Sequence, residues 1–158
     1  MKTADLMDKF QDELQSCEIQ FKNYGGKASF YGPCRTLKCH KDNQLVRELL
    51  KSDGSGHVLV IDGGGSTYSA LVGDLLAESG VRNNWAGIVV NGVIRDVEAM
   101  RQLDLGVKAI GSNPRRSSKE GTGEVDIAVS FGTLNIHPGD WIYCDEDGVV
   151  LAKRQLPL

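Results

Sequence analysis

Val58-Leu59-Val60-Ile61-Asp62-Gly63-Gly64-Gly65 is the stretch on which the fold class turns. Four successive apolar residues end abruptly in an acid and a glycine run. There is no polar alternation, so both faces of this strand are buried, as in a parallel strand covered on both sides. A second run of the same kind, Gly87-Ile88-Val89-Val90, stops at Asn91-Gly92, and a further strand spans Val107 to Ile110. Between the first two, residues 67–79 carry a helical pattern that ends near Gly80. Glycine at 73 is out of place inside that helix, where it costs about 1 kcal/mol relative to Ala. It points instead to a helix that starts late, near Asp74, with Leu71 and Val72 on the approach.

Working outward, residues 43–51 read as a helix with Leu45, Val46, Leu49 and Leu50 on one face, and residues 34–40 as a strand after Gly32-Pro33. Residues 3–15 read as an amphipathic helix with Leu6, Phe10 and Leu14 at four-residue steps, Met7 on the same face and Thr3 as N-cap. Residues 96–103 form a short helix, and 112–123 a polar, basic surface loop. Beyond it the chain reads as β at Val125–Phe131, Thr133–Ile136, Trp141–Cys144 and Val149–Leu151. Strands alternate with helices in the middle and dominate the end (125–151). The expected architecture is therefore α/β, three-layered, with a mixed sheet and a single domain over residues 1–158.

Composition narrows the function classes. The chain has 158 residues, enough to bury a real core. Its formal net charge of -3 gives no reason to expect direct nucleic-acid binding or attraction to an anionic membrane. No apolar run reaches the roughly 20 residues that cross a bilayer, and the charged start MKTADLMDKF lacks the apolar stretch of a signal peptide, so a cytoplasmic location is expected. Cys17, Cys34, Cys39 and Cys144 contain no CxxC pair and read as reduced thiols. A zinc site from Cys34, Cys39 and His40 has poor spacing, and His40, His57 and His137 are too dispersed to pair as ligands.

Two constellations carry possible chemistry. Gly73-Asp74-Leu75-Leu76, if it opens a helix, offers bare backbone N–H groups to an anion; the plain alternative is Asp74 on a solvated helix face. Arg95-Asp96 follows a buried strand at its carboxyl end, where α/β sheets gather ligands. Arginine presents a planar fork to a carboxylate, and aspartate is a hard oxygen ligand for magnesium or manganese. The plain alternative makes Asp96 an N-cap and Arg95 a solvated side chain. Asp62-Gly63-Gly64-Gly65 invites a nucleotide or methyltransferase reading, but the third glycine of G-x-G-x-x-G is missing and the next strand ends in Asn91-Gly92. A tight turn explains it better, with a supporting role at the edge of a site as the alternative.

Taken in order, Phe21-Lys22-Asn23-Tyr24-Gly25-Gly26-Lys27-Ala28, Val58 to Gly65, Gly73-Asp74-Leu75-Leu76-Ala77, Asn91-Gly92-Val93-Ile94-Arg95-Asp96 and Pro138-Gly139-Asp140 resemble the regulators of ribonuclease activity A and the related 4-hydroxy-4-methyl-2-oxoglutarate aldolases. The resemblance runs from about residue 20 to 151, and the D-x20-R-D spacing from Asp74 to Arg95-Asp96 is its specific part. It implies a β/β/α swivelling-domain core assembled as a homotrimer or a pair of trimers. It further implies a divalent-metal-dependent lyase that cleaves 4-hydroxy-4-methyl-2-oxoglutarate to pyruvate and decarboxylates oxaloacetate. Gly73, Asp74, Leu75 and Leu76 would bind the carboxylate of a 2-oxo acid, Arg95 its oxygens, Asp96 the Mg2+ or Mn2+ ion, and Asp74 would position or activate a water. Ala99 stands where the family often carries a further acid, and Glu98 lies one step before it. The regulator branch implies a different role, binding and masking an endoribonuclease of the RNase E type without chemistry. Some of its members lack both acids, whereas this chain keeps Asp74 and Asp96.

Overall fold

The computed structural model describes residues 1–158. The chain runs through helix α1 (Thr3–Phe10), a 3-10 turn (Gln11–Glu13), strands β1 (Gln15–Ser16), β2 (Lys22–Asn23) and β3 (Phe30–Lys38), and helix α2 (Gln44–Lys51). Strands β4 (Val58–Asp62) and β5 (Ala70–Val72), helix α3 (Asp74–Arg82), strand β6 (Gly87–Ile94) and helix α4 (Val97–Met100) follow. Strands β7 (Gly106–Ser112), β8 (Glu124–Val125), β9 (Val129–Phe131), β10 (Leu134–Ile136), β11 (Trp141–Cys144) and β12 (Val149–Ala152) complete it.

The apolar runs become the middle of one ten-stranded sheet, ordered β1-β12-β11-β3-β4-β6-β7-β2, with β5 on β6 and β8 on β3. Strands β3, β4, β6 and β7 are parallel; β11, β12 and β1 continue antiparallel. Successive residues of β4 face opposite ways, as a two-residue period requires. Leu59 and Ile61 join Val46, Leu50, Leu76 and Ala77 under the helices. Val58 and Val60 join Phe30, Phe131, Leu134, Ile136, Ile142 and Leu151 beneath the β9–β10 hairpin and the antiparallel strands. Helices, central sheet and a second β layer make three layers, as the sequence led us to expect.

Strand β3 belongs to both halves of the sheet. Phe30–Pro33 pair antiparallel with Trp141–Cys144, and Cys34–Lys38 pair parallel with Val58–Asp62. The expected start at 34 is therefore late: Gly32-Pro33 marks the place where the strand changes partner, not its beginning. The Phe30 ring lies on a floor of two register-paired glycines. A Cβ at Gly87 would meet the ring at 2.2 Å and one at Gly106 at 2.0 Å.

Other boundaries also moved. Helix α1 stops at Phe10, because Leu14 reaches the same satellite cluster (Leu6, Tyr143, Val150, Ala152, Leu156) from extended backbone, and Gln15–Ser16 then pair with β12. Thr3 is not the N-cap. It is the first helical residue, and its N–H and hydroxyl donate to the buried Asp145 carboxylate at 2.7 and 2.6 Å. Residues 67–79 resolve into β5 and a helix that starts at Asp74, the late start that Gly73 signalled. Expected strand 125–131 is broken at Asp126, which turns through φ +58° and grips Arg35 at 2.8 Å.

Candidate active site

Parallel pairing of β5 with β6 sets Val72 beside Ile94, and the Arg95 N–H donates to Val72 O at 3.0 Å. Two segments separated by twenty residues thus leave the carboxyl ends of neighbouring strands together. Gly73 starts α3, and Arg95-Asp96 turns into α4. Asp96 adopts the left-handed region (φ +59°, ψ +47°), a conformation that aspartate tolerates better than most residues but at a cost of about 1–3 kcal/mol. The turn aims its carboxylate back at the start of α3: Asp96 Oδ2 accepts the Asp74 N–H at 3.1 Å and lies 3.8 Å from Arg95 Nε. Glycine at 73 makes this approach possible, since a Cβ there would sit 2.9 Å from Asp96 Oδ2 and 3.3 Å from Arg95 Nε.

Gly73, Asp74, Leu75, Leu76, Arg95 and Asp96 are therefore neighbours. The bare helix terminus expected from sequence is smaller than three amides. The Asp74 N–H goes to Asp96, and the Leu75 N–H to Asp74 Oδ1 at 2.8 Å. The Ala77 N–H closes onto Gly73 O. The Leu76 N–H alone has no acceptor within the chain, and Leu75 stands exposed at the rim.

A cleft of about 130 Å³ opens here, lined by Asn43, Arg47, Ala70, Gly73–Leu76, Arg95, Arg116, Ser117 and Lys119. Four cationic side chains and one carboxylate, Asp74, line the cleft and Asp96 stands at its mouth, so the cleft carries positive potential on a chain whose net charge is negative. Sequence reasoning missed Arg47 and Asn43, and took Arg116 and Lys119 for residues of a solvated loop or a contact for an acidic partner or a neighbouring subunit, not for cleft walls. The loop is in fact clipped down. Buried Asp42 accepts from the Glu120 N–H (2.6 Å), Gly121 N–H (3.1 Å), Gln44 N–H (3.1 Å) and Ser118 hydroxyl (2.9 Å). Burial pushes its carboxyl up, but these hydrogen bonds outweigh it and hold it below the usual carboxylate range. Further on, the Ser117 hydroxyl donates to Ala70 O and the Ala70 N–H to Arg115 O, which seats Arg116 on the cleft. The only available hint was the density of basic residues at Arg115, Arg116 and Lys119. Beyond Arg95 lies a second hollow of about 250 Å³, formed with Asp96, Val97, Ser112, Asn113 and Pro114.

Several other candidates come apart. Cys34 and Cys39 lie in different core clusters on opposite faces of the sheet, so no zinc site forms with His40. Burial pushes the Cys39 thiol up to about 12 and the thiols of Cys17, Cys34 and Cys144 upward as well. The glycine turn is closed on itself: the Gly63 and Gly65 N–H groups donate to Asn91 O, the Gly64 N–H to Asp62 Oδ1, and the Ser66 N–H to Gly63 O. It leaves no nest of amides for a phosphate. Glu98 lines a shallow hollow on the outer side of Asp96 with Val97, Ala99 and Gln102.

No three His, Cys, Asp or Glu side chains converge to chelate a metal. A hard cation could be held here only with most of its ligands from water and substrate, and Asp96 is the carboxylate that could anchor it. The Asp96 side chain is 36% exposed, and its Oδ1 makes no hydrogen bond within the chain, so an oxygen is free for that purpose.

Fold and site together define a class: a three-layer α/β protein with a basic, carboxylate-edged cleft at the carboxyl ends of its parallel strands. The chain belongs to the RraA-like family, whose model (Aldolase/RraA) matches residues 3–151. It is 49% identical over 154 residues to an Alkalilimnicola ehrlichii protein provisionally named 4-hydroxy-4-methyl-2-oxoglutarate aldolase, covering 98% of this chain and 96% of the relative. Two solved structures superpose closely. One is a Geobacillus kaustophilus protein described as an S-adenosylmethionine:2-dimethylmenaquinone methyltransferase (TM-score 0.97, 47% identity, 99% and 97% of the two chains). The other is the RNA-processing inhibitor RraA from Thermus thermophilus (TM-score 0.96, 40% identity, 99% and 95%). No helix is long and apolar enough to cross a membrane.

Proposed function

We propose that this protein is a divalent-metal-dependent lyase that cleaves 4-hydroxy-4-methyl-2-oxoglutarate into two molecules of pyruvate and also decarboxylates oxaloacetate. One observation carries the reading. Asp74, Arg95 and Asp96 meet at the mouth of a cleft that adds one free amide and three further cations. The aldolase name of a 49% identical relative supports it.

Each group has a distinct part. The Leu76 N–H and the fork of Arg95 receive the 2-oxo-carboxylate end of the substrate. Asp96 holds the Mg2+ or Mn2+ ion, which when bound supplies Lewis-acid stabilisation of the negative charge developing at the C2 oxygen. Asp74 holds a water that takes the proton from the C4 hydroxyl. As that proton leaves, the C4–O bond becomes a carbonyl, the C3–C4 bond breaks, and its electron pair is delocalised onto the C2 oxygen. Arg95 stabilises that charge from the protein side. Protonation at C3 then gives pyruvate. Loss of carbon dioxide from oxaloacetate places charge on the same oxygen. The assembly proposed for the working protein is a homotrimer or a hexamer.

The test is pyruvate release from both substrates by purified protein with magnesium or manganese. Asp96→Ala and EDTA each abolish it, and Arg95→Lys lowers kcat by about 10-fold or more because the fork is lost. Activity that survives all three treatments overturns the assignment. A second reading, a non-catalytic regulator that binds an endoribonuclease of the RNase E type, is favoured by the 40% identity to the Thermus inhibitor. Co-purification with such a nuclease, unchanged by Asp96→Ala and with no pyruvate released, is the result that selects it.

A further inference from the structure

Arg95 is the common wall of two hollows of different character. On one side lies the basic cleft with Leu76, Arg47, Arg116 and Lys119; on the other lies the hollow closed by Val97, Ser112, Asn113 and Pro114. In the second hollow Asn113 is already committed. Its Nδ2 donates to Thr67 O at 2.8 Å, and its Oδ1 accepts the Arg115 N–H at 3.0 Å. Val97 and Pro114 carry no polar side-chain atom, and Asp96, which also lines this hollow, is a carboxylate that only accepts and is assigned above to the cation. Ser112 remains: the last residue of β7, in register with Ile94 and exposed, with a hydroxyl that nothing else in the chain engages.

The substrate class of the proposed reaction has two kinds of oxygen. Its C1 carboxylate seeks the cations of the basic cleft, and its C5 carboxylate travels with C4 on the Arg95 side of the second hollow. The oxygen on C4 is neutral, and it changes character as the bond breaks, from a hydroxyl that donates to a carbonyl that only accepts. A serine hydroxyl both donates and accepts and can turn to suit either state; a carboxylate or an ammonium cannot. We propose that Ser112 binds the C4 oxygen of a 4-hydroxy-2-oxo acid and holds the departing carbonyl fragment in the hollow beyond Arg95. This rests on the lyase reading above. It makes Ser112 a specificity residue for aldol substrates: oxaloacetate carries a carboxylate at C4, with no hydroxyl there to donate, and depends on Ser112 less.

The experiment compares two substrates on two variants. A neutral hydrogen bond is worth about 0.5–1.5 kcal/mol, or roughly 2- to 13-fold. Ser112→Ala should lower kcat/KM for 4-hydroxy-4-methyl-2-oxoglutarate about 10-fold and leave oxaloacetate decarboxylation within about twofold. Ser112→Thr, which keeps the hydroxyl, should retain most of the aldol activity. A readout without turnover accompanies this. Calorimetric titration of EDTA-treated protein with 4-hydroxy-4-methyl-2-oxoglutarate should be weakened in Ser112→Ala, and titration with 2-oxoglutarate, which lacks the C4 hydroxyl, should be unchanged. Equal loss on both substrates, or no loss on either, overturns the role of Ser112 and leaves the lyase reading standing. Wild-type protein that turns over neither substrate removes both.

Discussion

Gly73→Ala tests the site with little disturbance to the fold. Gly73 has φ −114° and ψ −174°, extended backbone that alanine adopts freely. The added methyl would lie 2.9 Å from Asp96 Oδ2 and 3.3 Å from Arg95 Nε, both ends of side chains about one-third exposed. The carboxylate must retreat by roughly 0.5 Å to restore an ordinary contact. Stability should barely change. Alanine removes about 0.4–1 kcal/mol of unfolded-chain entropy and gives back a similar amount as the poorer N-cap. Net change stays within about 1 kcal/mol, a Tm shift of no more than about 4 °C for a chain of this size. Activity is more sensitive, since a misplacement near 1 Å costs about 100-fold. Half that displacement should lower kcat about 10-fold. Pyruvate release coupled to lactate dehydrogenase, read as NADH absorbance, gives the rate, and calorimetry gives Tm. A Gly73→Ala protein as fast as wild type would show that the Asp96 carboxylate does not stand where bonds break.

Gly106→Ala drives a Cβ to 2.0 Å from the Phe30 ring in a closed core, so it should cost about 1–3 kcal/mol and lower Tm by several degrees in calorimetry, with part recovered by Phe30→Leu on the same chain. Asp42 and Asp145 are both buried, which raises their carboxyls, and both are held lower still by hydrogen bonds, from Glu120 and Gln44 among others for Asp42 and from Thr3 for Asp145. The unfolded chain therefore takes up protons first as pH falls. Their contribution is complete above the ordinary carboxylate value of about 3.9 and is lost as pH drops through the lower folded values. Asp42→Asn and Asp145→Asn should each flatten that acid limb in urea titrations between about pH 5 and 2. The four buried thiols, raised by burial (Cys39 to about 12), should be silent toward dithionitrobenzoate at pH 8 in the native protein and all react in guanidinium.

What the sequence revealed was whatever is written locally. Val58–Ile61 and Ile88–Val90 carry no polar residue, so their burial on both faces was readable, and Gly73 marked the true start of α3. The pairing of β5 with β6, which brings Gly73 to Arg95, was not readable, because strand register has no local signature in two short apolar runs. The basic lining was hidden for a similar reason. Arg47 lies in a helix and Arg116 in a loop, and the clip at Asp42 and the bonds of Ala70 to Arg115 and Ser117 bring them together. Asp96 was legible as a residue type but not as a left-handed turn, although the turn is what swings its carboxylate toward Asp74. Thr3 misled because its side chain serves a partner 142 residues away instead of its own helix.

Strand β3 has a consequence for synthesis. Its second half finds β4 within about thirty residues, but its first half waits for Trp141–Cys144, more than a hundred residues later. A nascent chain that has passed β7 can assemble its helical side early. Val58, Val60 and Val89 stay uncovered until Val129–Leu151 leave the ribosome. During that interval the emerging protein presents an apolar sheet face and an open strand edge, the surface that chaperones protect.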